Sequence, residues 1–199
     1  MRQTHALAAL LVASAVATTA AAQETAVYGG APDRLTLSLP VTASVSGRCG
    51  FADAGTPAAR VEVGDVEAGF SHTLPFVLSC NSPVRLAIQS RNGALRAPGE
   101  PAAGYGSSLD YTVTVQAVGS RGVSVSASCA ASALAQAATT ACALRGPASS
   151  TQGLRLPDVS LKEPGSYLQL SAPPASGRTP LMASSDYADF LVLTLSPSS

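Results

Sequence analysis

From Leu35 to Val45 apolar residues fall at every second position: Leu35, Leu37, Leu39, Val41, Ala43 and Val45, with Thr, Ser and Pro between them. Successive side chains of an extended chain point to opposite faces, so this spacing puts all six on one face of a long strand. Six consecutive alternations are about twice the length of an average strand. Helical spacing would scatter the same residues around a cylinder. The run therefore commits the chain to β-structure and demands an apolar surface to cover that face. Pro40 lies within it and has no N–H to give to a ladder, so its nitrogen must face away from a paired neighbour.

Similar runs recur downstream. Leu74, Phe76, Leu78 and Cys80 alternate, as do Val84, Leu86 and Ile88. Tyr111, Val113, Val115 and Ala117 form another set, and Val123, Val125, Ala127 and Cys129 a fourth. Leu154-x-Leu156 and Tyr167 to Leu170 are shorter candidates, and Leu191, Leu193 and Leu195 mark the last. Asn92-Gly93 between two runs is a hairpin-turn signal. No amphipathic helix of useful length and no internal repeat is present. The Ala-rich stretch 130–143 contains Thr139-Thr140 and is expected to be a pinned loop. Short β-runs with frequent turn signals predict an all-β sandwich. The final strand is the last element of the sequence, so no hairpin partner is expected to follow it.

The first 22 residues have a different character. A short basic start, Met1 to His5, precedes the uncharged apolar run Ala6–Val16 and the small residues up to Ala20-x-Ala22. This pattern reads as a secretory signal peptide cleaved before Gln23. The other reading is a membrane anchor, but the run is short for a span and lacks stop-transfer charges. Residues 23–48 then form an N-terminal extension, and 49–199 the sandwich domain. Without Arg2, eleven basic residues face twelve acidic ones, and Lys162 is the sole lysine. Nothing here provides the basic surface that nucleic acid requires.

Four cysteines, Cys49, Cys80, Cys129 and Cys142, lie in the mature part. An even number in an exported chain reads as two disulfides, with three pairings to choose from. Nearest-neighbour pairing, Cys49–Cys80 and Cys129–Cys142, is preferred. No CxxC spacing and very few histidines accompany them, which argues against a metal site. His72, the one histidine after the leader, is expected at a surface or strand end. Asp186 and Asp189 suit turn initiation or edge protection better than paired acid–base chemistry. Tyr187 is expected to pack with its hydroxyl bonded near the strand end. No GxSxG elbow, HExxH or phosphate loop is found. The chain is therefore not read as an enzyme, and no cofactor is expected.

The order of these pieces resembles a known family. An alternating strand is followed by Cys49, then Phe76-x-Leu78-x-Cys80-Asn81, then Asn92-Gly93-x-Leu95. Asp186-Tyr187-x-Asp189-x-Leu191-x-Leu193-Thr194-Leu195 closes the series. It is similar to the secreted spore coat U family, which includes pilins of archaic chaperone–usher systems. The resemblance covers roughly Leu35 to Leu195. It implies an incomplete immunoglobulin-like sandwich, completed by donor strand exchange within a surface fibre. The donor residues would be Leu39, Val41, Ala43 and Val45, with Leu35 and Leu37 as outer anchors. Leu191, Leu193 and Leu195 would form one wall of the acceptor groove, and the family disulfide maps to Cys49 and Cys80. The Cys129–Cys142 bracket has no counterpart in that pattern. Implied partners are a periplasmic chaperone, an outer-membrane usher and neighbouring copies of the subunit, with a cell-surface or secreted destination. The bland reading keeps Arg34 to Gly47 as the first strand of a complete sandwich. A stand-alone or tip adhesin module of the same fold is the alternative function.

Overall fold

A computed structural model describes residues 40, 42–52, 60–175 and 177–198. The leader 1–22 and the donor positions Leu35, Leu37, Leu39 and Val41 lie outside the described residues. Twelve strands are described: β1 (Cys49–Phe51), β2 (Phe70–Phe76), β3 (Leu78–Cys80), β4 (Val84–Ser90), β5 (Leu95–Arg96), β6 (Ser108–Leu109), β7 (Thr112–Val118), β8 (Ser124–Ala130), β9 (Leu154–Leu156), β10 (Ser160–Leu161), β11 (Ser166–Ala172) and β12 (Leu191–Pro197). Short 3₁₀ turns occupy Val66–Ala68 and Ala131–Leu134.

Every strand pair is antiparallel. One sheet has the order β2-β11-β7-β8 and a second the order β12-β4-β9. Strands β1, β3 and β10 form a third small sheet, and β5 pairs with β6. The two larger sheets share one core, in the manner of a β-sandwich. Val84, Leu86 and Ile88 of β4 meet Val113, Val115 and Ala117 of β7, all fully buried. Leu78, Leu134, Leu144 and Leu156 complete it, each at 0 % exposure.

The alternation seen in sequence becomes the inside–outside pattern of these strands. In β7 Val113, Val115 and Ala117 are buried while Thr112, Thr114, Gln116 and Val118 are only half-buried on the other face. Val77 separates β2 from β3, so the single apolar run Leu74–Cys80 serves two sheets: β2 pairs with β11, and β3 with β1 and β10. Gly69 has φ +76°, and a Cβ there would lie 2.6 Å from Pro174 N. Only glycine lets the start of β2 pass so close to the chain leaving β11.

The disulfides join Cys49 to Cys80 and Cys129 to Cys142. The first crosses β1 and β3, whose residues 49 and 80 are register partners. The second ties β8 to the stretch after the second 3₁₀ turn. Disulfides belong to an oxidising compartment. Among the described residues no helix is long and apolar enough to cross a membrane.

Two expectations are corrected. Asn92-Gly93 turns the chain, with Gly93 at φ +70°, but it does not close a hairpin. β4 pairs with β12 and β9, while β5 pairs with β6. The reason lies mostly in residues distant in sequence, which capture the turn's donors. Asp189 Oδ1 accepts from Asn92 N at 2.9 Å, Ser90 Oγ accepts from Gly93 N at 2.7 Å, and Asn92 Nδ2 donates to Ala188 O at 3.0 Å. His72 is not at a strand end. It lies in mid-β2, half-buried, opposite Leu170 and on the same face as Phe70, Leu74 and Phe76.

Candidate functional site

Among the described residues no strand joins the two main sheets between β2 and β12. β2 is the outer strand of the first sheet and β12 of the second. Each is seven residues long and hydrogen-bonded along one edge only, to β11 and β4 respectively. Among the described residues neither free edge has a backbone partner. An apolar cleft with a cavity of about 60 Å³ runs between them, lined by Leu74, Phe76, Leu168, Ile88, Leu191 and Leu193.

The side chains explain why the cleft stays apolar. In β2, residues 70, 72, 74 and 76 turn inward, and in β12 residues 191, 193 and 195 do so. Leu168, Leu170, Leu191, Leu193 and Leu195 pack on the core but remain only half-buried, and Leu74 on the cleft wall is likewise half-buried. Leucines at this level of exposure mark surface that water touches at a free-energy cost. The unpaired edges add unsatisfied N–H and C=O groups in line with it. Such a cleft accepts an extended segment whose alternate side chains are apolar. The side chains fill the gap while the backbone bonds to one or both edges.

The proposed groove-wall leucines are all on β12. Leu191 and Leu193 line the cleft; Leu195 is half-buried opposite Leu86, beyond the lining residues. Of the proposed donor residues, Ala43 and Val45 fall among the described residues. Both are exposed and outside any strand, Val45 at 81 %. The segment that follows is fastened to the sandwich by Asn81. Its Oδ1 accepts from Arg48 N at 2.6 Å and its Nδ2 donates to Ser46 O at 3.2 Å. Gly47 passes close to Pro197, where a Cβ would come within 3.5 Å. The extension thus enters the domain beside the end of β12.

A polar anchor fixes β12 at its other end, and sequence reasoning missed it. The Asp189 carboxylate accepts from Ser90 Oγ at 2.5 Å, Tyr111 Oη at 2.7 Å and the backbone of Asn92 and Phe190. Burial, reinforced by the neighbouring Asp189 carboxylate, pushes the Tyr111 hydroxyl well above its ordinary pKa. One side chain therefore ties β12 to the end of β4 and to the residue before β7. The available signal was a carboxylate placed just before an apolar strand, with Ser90 and Tyr111 at the ends of two others. Nothing in the spacing links them, since Tyr111 lies 78 residues away. The Tyr187 hydroxyl donates to Met182 O at 2.9 Å, within the segment between β11 and β12. Asp186 stays exposed in the turn before it.

A second, open depression of about 560 Å³ lies elsewhere, lined by residues including Tyr105, Ser108, Asp110, Arg178 and Thr179. Its polar lining sets it apart from the cleft between β2 and β12.

No family model, curated protein or solved structure matches this chain.

Proposed function

We propose that the chain is a structural subunit of a surface fibre. Its sandwich is immunoglobulin-like but one strand short, and a neighbouring copy supplies that strand. The observation that carries this reading is the pair of free edges, β2 and β12, facing each other across an apolar cleft. The candidate plug is the stretch Leu35–Val45, whose alternating side chains match the cleft's demand and whose described residues, Ala43 and Val45, are exposed.

Burying about four to six apolar side chains at about 1.5–3 kcal/mol each gives on the order of 10 kcal/mol before ordering costs. That is comparable to the stability of a whole domain. The junction would therefore open very slowly. It is heterologous, with the extension of one copy on the cleft of the next, so it builds an open filament and not a closed ring. A free cleft would be an aggregation hazard during export. A periplasmic chaperone lending a strand, and an outer-membrane usher exchanging it, would meet that need. Adhesion or biofilm formation is the role such a fibre would serve.

The test is non-reducing SDS electrophoresis with and without boiling. The expected result is a ladder of multimers that boiling collapses to a monomer. Deletion of Leu35 to Val45 is expected to leave a foldable subunit that forms no ladder. Normal fibres from the deletion variant would defeat the proposal.

A further inference from the structure

One residue of β2 is out of keeping with the apolar cleft beside it. His72 lies half-buried in mid-β2, on the face that carries Phe70, Leu74 and Phe76. It is the one histidine in the chain after His5. Leu74 and Phe76 line the cleft, and His72 is the next inward position along the same free edge. Its register partner Leu170 is half-buried, as Leu168 and Leu191 are. The open apolar surface therefore continues past the cavity to this position.

The surroundings offer a charged imidazole no counter-charge. β11, the strand hydrogen-bonded to β2, presents Leu168, Leu170 and Ala172 opposite Leu74, His72 and Phe70. β12, across the cleft, presents Leu191, Leu193 and Leu195. The ionisable groups at this end are already engaged. The Tyr111 ring lies 6.5 Å from that of Phe70, and its hydroxyl donates to Asp189. Glu67, ahead of β2, accepts from Leu181 N. Among the described residues the His72 side chain has no hydrogen-bond or ion-pair partner.

Water solvates the imidazole while the cleft is open, and a seated strand removes that water. Extended, the eleven-residue stretch Leu35–Val45 spans about 36 Å, against about 23 Å for β2. A strand of that length laid along β2 covers His72 together with Leu74 and Phe76. Residues 35–46 contain no charged side chain, so the incoming strand brings no carboxylate to pair with an imidazolium. Desolvating an unpaired imidazolium disfavours the charged form. We propose that His72 makes the junction between subunits pH-sensitive, tight while the imidazole is neutral and looser once it is protonated. This inference rests on the strand-donation reading and adds a control to it.

The covered His72 has a lower pKa than the open one, whose ordinary value is about 6.5. The junction therefore keeps its full strength above about pH 6.5. Below that it loses up to about tenfold in affinity per pH unit, until the lowered pKa is reached. Histidine is the side chain whose ordinary pKa falls in this window.

The experiment is dissociation of purified, tag-free multimers in urea, followed by light scattering at pH 7.5, 6.5 and 5.5. It uses the wild type, His72→Gln and His72→Leu. Wild-type multimers are expected to dissociate about tenfold faster at pH 5.5 than at pH 7.5, since affinity differences appear mainly in the dissociation rate. The rates of both variants, which have no imidazole to protonate, are expected to agree within about twofold across the same range. A wild-type rate independent of pH, or an acceleration that persists in the variants, would overturn the inference and leave strand donation standing. Absence of multimers at pH 7.5 would remove both. If neither variant folds, the wild type alone carries the test. Modification of His72 by diethyl pyrocarbonate is then expected to be about tenfold slower in multimers than in the monomeric fraction, because the seated strand covers it. Equal rates would overturn the inference.

Discussion

The two sides of the sandwich are built from similar strands yet end differently. On the side of β8 and β9, Leu134, Leu144 and Leu156 are fully buried, and the Cys129–Cys142 disulfide binds β8 to the chain that crosses to the second sheet. On the side of β2 and β12, leucines of the same size remain half-buried around a cleft. Hydrophobicity is not the difference; both sides are rich in leucine. What differs is whether described chain crosses the gap. After β8 the chain runs along β4, bridging at Ala135 with Ser90 and at Arg145 with Ile88, before β9 takes over. Across the gap between β2 and β12 no described segment does so. Closure of the core thus depends on which segments cross the gap as much as on composition.

That contrast is open to direct attack by mutation. The largest separation is expected between Leu86→Ala and Leu193→Ala. Leu86 is fully buried in β4, and its truncation should cost the isolated subunit about 2–5 kcal/mol in urea unfolding. Leu193 is half-buried on the cleft wall, so the same change should cost the subunit about 1 kcal/mol or less, yet weaken assembled multimers more than the monomer. Equal losses in the monomer would erase the distinction between the sides.

Next in size are the disulfides. Replacing both Cys129 and Cys142 by Ser should cost about 3 kcal/mol, and replacing both Cys49 and Cys80 about 4 kcal/mol, following their separations of 13 and 31 residues. Thermal unfolding of the two double variants reads this order. The first pair should loosen the closed side and leave ladder formation intact; the second lies where the extension joins the domain and should impair both.

Asp189→Asn should cost roughly 1.5–3 kcal/mol, the range for hydrogen bonds to a charged partner. It is expected to free the start of β12 and hence one lip of the cleft, visible as faster amide exchange at Leu191. The Tyr111 hydroxyl bonded to Asp189 gives a pH signature. Its folded pKa lies above the unfolded value, so its contribution is complete below about pH 10 and is lost as pH rises beyond. A wild-type unfolding midpoint that falls between pH 9 and 11, and falls less in Asp189→Asn, is the expected outcome.

The smallest effect concerns Asp158. Its carboxylate accepts from Arg121 Nε at 2.9 Å and from Arg121 N at 3.0 Å, securing the turn between β7 and β8. The Arg121 guanidinium holds the Asp158 carboxyl below its ordinary pKa. This contribution is therefore present above about pH 4, the unfolded value, and disappears as pH falls through the lower folded one. Acid titration of stability should flatten in Asp158→Asn.

Much of the fold was legible because alternation records which face is buried. Val84, Leu86 and Ile88, and Val113, Val115 and Ala117, were readable as inward-facing sets, and they form the centre of the core. Pairing was not legible. The run Leu74–Cys80 reads as one strand, and only the demands of two sheets divide it at Val77. The two-residue strands β5 and β6 are too short to show any period. Asn92-Gly93 carried a correct turn signal, but the Asp189 bonds that redirect it come from nearly a hundred residues away. The candidate cleft was half legible: the β12 leucines could be named from sequence, whereas Leu74, Phe76, Ile88 and Leu168 join them only through folding.

The central claim is that the cleft between β2 and β12 receives residues 35–45 of another molecule. Isotope-edited NMR on multimers mixed from labelled and unlabelled subunits tests it most directly. The expected result is intermolecular contact between the methyl groups of Leu39 or Val41 and those of Leu168, Leu191 or Leu193. Contacts from the same donor methyls that arise only within one molecule, with residues 35–45 hydrogen-bonded into their own sheets, would contradict it.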